Sequence, residues 1–224
     1  MMGILLFMSS TVTSWLLNSL LPTKYHPYYW TLTLLLFAKS LSYFASALLH
    51  LFPFKSVKGV TEALKFDLIA IAASIGFTAL PFASNYQEVM RTVAITTLFI
   101  GGQLVCVEWQ FWGHMGLDTP PNRSELPRNV LLVLQFLDTS AKIGEAMAYS
   151  TLWKAGIFTY AVAFCLAAPV TARHKEEPFF KQLPWHKKGV FSMHEDFHNV
   201  LLIADGIMVF NAVKFLGDKV VGWI

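Results

Sequence analysis

Charge is what this sequence has least of. Asp, Glu, Lys and Arg make up 14% of its 224 residues, where a soluble domain carries about a quarter. So few charges cannot coat a water-facing globule, which excludes an ordinary soluble enzyme domain. Cysteine is scarce as well. Cys106 and Cys165 are the two in the chain, and both fall in apolar runs. They read as buried thiols, which excludes a disulfide framework. No concentrated basic tract is present. The net charge is +3, and the Lys and Arg residues lie between apolar runs. That pattern excludes a nucleic-acid surface and fits control of membrane topology. Repeats and low-complexity tracts are missing too. The start of the chain lacks a basic n-region and a clear small-residue cleavage site. A cleavable signal peptide is therefore not expected, and the first apolar segment is expected to stay in the mature protein.

Apolar residues make up 55% of the chain, and its mean hydropathy is +0.50. Seven spans can be drawn, at 3–21, 29–52, 67–83, 90–112, 129–149, 153–172 and 193–216. Pro22 and Pro53 close the first two. At about 1.5 Å per residue each reaches across roughly 30 Å of hydrocarbon, the third only just. The sequence predicts an all-α protein, one seven-helix integral membrane domain over 1–224. Alternating spans leave ten loop Lys and Arg on one side and five on the other. The positive-inside rule then puts the N-terminus in the cytoplasm and the C-terminus on the opposite side. Trp30 and Trp153 fall at the outer boundary and Trp112 at the inner one, as interfacial anchors.

The last span opens with Ser192-Met193-His194-Glu195-Asp196-Phe197-His198. Ser192 and Glu195 read as a capping box, so a helix is expected from about Met193. His194 and His198, four apart, then share a face in the first two turns. The alternating topology brings this end to the inner leaflet. It also brings His50 there, at the end of the second span, and Asp67, as the first residue of the third. Three His and an oxygen suit tetrahedral zinc, with water as the fourth ligand in a catalytic site. Asp67 would orient that water or complete the shell. Ser46, one turn before His50, would hold Asp67, steady the water or donate to an oxyanion.

Each of these residues has a plain structural reading as well. His50 suits an interfacial imidazole bonded to a carbonyl. Asp67 suits a helix cap, and His194 and His198 suit a solvated helix start. What favours function is their convergence at one depth, since ionisable groups inside a membrane are rare and usually functional. Elsewhere, Asp138, Lys142 and Glu145 are spaced to pair on the fifth helix as a buried ion network or cavity wall. Glu108 and His114 lie at the inner end of the fourth span and Asp205 lies three turns below His194. All three are candidates to support the metal ligands from behind. Lys39 is mid-span and needs a partner.

Ser46-Ala47-Leu48-Leu49-His50, Asp67 seventeen residues later, and His194-x-x-x-His198 together resemble the progestin and adipoQ receptor family and its hemolysin III relatives. These belong to a wider group of seven-helix membrane hydrolases that includes the alkaline ceramidases. The resemblance covers residues 46–198 and extends to Lys154-Ala155-Gly156-Ile157-Phe158-Thr159-Tyr160 before the sixth-helix core. It implies zinc held by His50, His194 and His198, with Asp67 and Ser46 beside it, and hydrolysis of a ceramide-like lipid amide. The chain departs from the family in three places. The acidic motif before the first helix is missing, the N-terminal extension of the hormone-receptor members is absent, and Phe66-Asp67-Leu68 stands where Leu-Asp-Tyr is usual. The alternatives are a non-catalytic receptor-like protein or accessory subunit of a larger membrane assembly on the same scaffold, and haem ligation by His50 with His194 or His198. The partners expected are a membrane lipid or sphingolipid substrate and other membrane proteins.

Overall fold

The computed structural model describes residues 26–51, 56–111, 126–146 and 193–221. Side chains near several helix ends, those of His50, His194 and His198 among them, lie outside the described set. The elements are α1 (His26–Leu51), α2 (Val57–Phe77), a single 3₁₀ turn (Leu80–Phe82), α3 (Tyr86–Phe111), α4 (Leu126–Ala146) and α5 (Met193–Val221). No strand occurs among the described residues. The protein is helical there, and α1, α2, α3 and α5 are long and apolar enough to cross a membrane. The expected spans at 3–21 and 153–172 lie outside the described residues. The chain divides into two compact units, Met1–Ala146 with Ala212–Ile224, and Met147–Asn211.

Local chemistry sets the helix ends. Ser56 has extended backbone and its side chain accepts the Gly59 N–H at 3.1 Å, which caps α2. At the other end Thr78 Oγ1 donates to the Ser74 carbonyl at 2.7 Å. Pro81, inside the 3₁₀ turn, has no N–H with which to extend the helix. Asn85 Oδ1 then accepts the Glu88 N–H at 2.9 Å, and Glu88 Oε2 accepts the Ser84 N–H at 2.6 Å. This near-reciprocal cap starts α3 and sets a carboxylate in its first turn, where the helix dipole favours it.

Most expected boundaries lie within a turn of the helices. The third span does not. The apolar run starts at Asp67, but α2 starts ten residues earlier at Val57. Asp67 is therefore in mid-helix and caps nothing. A hydropathy scan stops at Lys58, Glu62 and Lys65. The helix includes them because Ser56 caps it and Lys65 finds carboxylate partners on two helices. Lys58, Lys65 and Arg128, assigned to loops by the topology argument, all lie within helices.

In the first unit α2 is the central helix. It packs against α1 and α3 along its length and also meets α4. Leu68 and Val107 form an apolar core, with Leu64 and Leu132 against it, so α2, α3 and α4 meet there. Further along, α2 and α3 approach so closely that a Cβ on Gly76 would lie 2.0 Å from Thr96 Oγ1. Phe82 of the 3₁₀ turn stacks on Phe215, with ring centroids 5.2 Å apart.

Candidate functional site

The polar residues of this unit are sorted against the usual direction. Val130, Val133, Leu134 and Leu137 of α4 are exposed, while Arg128, Gln135 and Thr139 are buried. In water such a helix would be inside out. In lipid it is the stable arrangement, apolar outward and polar inward. α4 therefore has the surface of a membrane helix, although its charges keep it out of the four assigned by composition. The exposed Trp30, Leu34 and Phe37 of α1 and Leu98 and Val105 of α3 follow the same rule.

Asp67 heads the buried polar set, at its charged end. It is 7% exposed, and its Oδ1 has no hydrogen-bond partner. The charge that acts on it is Arg128, buried in the first turn of α4. Beside them Gln103 of α3, fully buried, donates through Nε2 to the Arg128 carbonyl at 3.0 Å. Gln135 of α4, 1% exposed, donates to the Ala72 carbonyl of α2 at 2.8 Å. The carbonyl oxygens of both amides are unpaired, as is Thr96 Oγ1 beside Gly76. At the mouth of this set Lys65 bridges Glu62, at 3.0 Å, and Glu108 of α3. Glu108 is thus half of an interhelical ion pair.

The histidines fall elsewhere. His50 is one residue from the end of α1. Asp67 is ten residues inside α2. Five residues link the two helices, which pack together. Residues 52–55 of that link and the His50 side chain lie outside the described residues. No hydrogen bond joins Ser46 to Asp67 Oδ1. Ser46 itself is buried. α5 begins at Met193, so His194 and His198 occupy its first two turns, while Ser192 of the expected capping box lies outside the described residues. Among the described residues no three His, Cys, Asp or Glu cluster for a metal ion. The three histidine side chains are outside that set.

On α4, Lys142 Nζ and Asp138 Oδ2 pair at 2.7 Å, while Glu145 is exposed and apart. The expected three-member buried network is a two-member pair, with Asp138 part-exposed. Asp205 and Lys39 are buried, as mid-span charges must be. Cys106 is a free thiol, partly covered. His114 and Cys165 lie outside the described residues.

Sequence reasoning missed Gln103, Gln135 and Arg128. The two glutamines sit in apolar runs and carry no charge, and Arg128 was assigned to a loop. A signal was available. Gln135 and Arg128 lie seven residues apart, two helical turns, on the face of α4 away from its valines and leucines.

Searches of protein-family models, curated proteins and solved structures all return no match.

Proposed function

We propose that the protein is a seven-helix, multi-pass membrane protein that holds zinc through His50, His194 and His198 and hydrolyses a lipid amide of the ceramide type. The N-terminus is cytoplasmic in this reading. The observation that carries it is the start of α5 at Met193, which gives His194 and His198 adjacent turns of one helix face. His50 near the end of α1 supports it, as does a buried Ser46 one turn further in. Three imidazoles suit zinc, and a bound zinc ion supplies a water acidified toward neutral pH. Ser46 is the nearby hydroxyl that orients the substrate carbonyl. Asp67, on which the Arg128 charge acts, is assigned in this reading to the neighbouring polar seam and not to the metal's immediate surroundings.

The test is elemental analysis of purified protein, with fatty-acid release from ceramide in reconstituted membranes. Zinc in the wild type, lost together with activity in His194→Ala, supports the reading. Zinc-free wild-type protein sinks it.

One observation favours a non-catalytic membrane subunit instead. The α3 span is 17% buried, against 56% for α2. Met90, Leu98 and Val105 face outward along it. Purification as a stoichiometric complex that covers these residues, with no zinc present, supports that second reading.

A further inference from the structure

The polar interior of α2, α3 and α4 has its own chemistry, which does not rest on the zinc reading. Four acceptors in it lack donors: Asp67 Oδ1, Gln103 Oε1, Gln135 Oε1 and Thr96 Oγ1. Their order along α2 follows from their neighbours. Asp67 and Gln103 are at the Arg128 level, Gln135 is at Ala72, and Thr96 is at Gly76. From Asp67 to Gly76 is nine residues, or about 14 Å of helix. The charged end opens beside Lys65 and Glu108, the latter exposed. The other end closes where α2 and α3 leave no space for a Cβ, and the buried Leu80, Pro81 and Phe82 lie beyond it.

Buried acceptors inside a membrane need donors, and the helical N–H groups are committed to the helices. The donor must also be electrically neutral. Arg128 already faces Asp67, and Lys65 already faces Glu62 and Glu108, so a cation entering here meets cations. An anion meets the Asp67 carboxylate and the amide oxygens, and the Arg128 charge is already directed at that carboxylate. Water is a small neutral donor able to bridge such groups.

We propose that this seam binds a file of water molecules, open at the Lys65–Glu108 end and blind at Gly76–Thr96. It is an aqueous inlet reaching about halfway through the hydrocarbon, since about 14 Å compares with roughly 30 Å. Asp67 stands at its entrance and Thr96 at its floor.

Water-edited solid-state NMR on the intact protein in lipid bilayers tests this. Magnetisation transferred from water should reach the Gln103 and Gln135 side chains several-fold faster than the methyls of lipid-facing Leu98 and Leu134. Thr96 should follow later than Gln103. Gln135→Leu should delay Thr96 further and leave Gln103 unchanged. Transfer to Gln103 and Gln135 as slow as to Leu98 overturns the file. Thr96 filling before Gln103 overturns its direction. The measurement needs no zinc, so its failure and the failure of the metal reading are separate results.

Discussion

The α2–α3–α4 seam and the histidine-bearing ends of α1 and α5 contain ionisable groups of the same kinds but handle them differently. In the seam, charges are compensated and joined by side-chain bonds between helices, as in Lys65–Glu108 and the Gln135 bond to Ala72. At the helix ends, imidazoles recur one turn apart, a spacing that suits ligation and does little for packing. Polar groups within a membrane thus serve two purposes here. One set ties helices together and is proposed to take up water, and the other is proposed to act as ligands. Asp67 shares the first set's surroundings through Arg128, although its position in the sequence assigned it to the second.

The comparison breaks most visibly at the ligands. His50→Ala and His198→Ala should each abolish zinc binding, read as metal per protein, while leaving the elution profile of the folded protein unchanged. Retention of zinc by either variant would remove that residue from the ligand set. The next largest effect is expected at Gly76→Ala. The added methyl would lie 2.0 Å from Thr96 Oγ1, so α2 and α3 must separate. Overpacking of this kind costs about 1–3 kcal/mol. Thermal unfolding in detergent should show a clear drop in midpoint, and an unchanged midpoint would mean that the helices are not so close.

Gln135→Leu removes one interhelical hydrogen bond and should cost about 0.6 kcal/mol, at most roughly 1.7. Leu134→Ala on the lipid face should cost less. Equal losses at the two positions would argue against a polar interior. The smallest effect belongs to Lys65 and Glu108. Glu108 is half exposed at the mouth, so a double-mutant cycle should return less than about 1 kcal/mol, weakening with salt.

Much of the fold was legible in the sequence because lipid imposes one rule, long apolar helices with charges between them. α1, α3, α4 and α5 begin within about a turn of where that rule puts them. The rule failed at α2 because charges can lie inside a helix when another helix supplies their partners. Ser56 was the available sign of the true start, since a Ser before a helical run is a cap. Ten residues of extra helix then put Asp67 in mid-helix and not at a helix start. The pairing of Asp67 with Arg128, and of each glutamine with a carbonyl on another helix, depends on which helices are neighbours. A linear pattern does not contain that information. The direction in which α4 turns its valines and leucines also required its neighbours.

The most direct test of the separation between seam and ligands is the zinc content of Asp67→Asn measured beside the wild type. The account predicts zinc in both, in equal amount. Loss of zinc from Asp67→Asn, matching the loss in His50→Ala, would contradict it and return Asp67 to the metal.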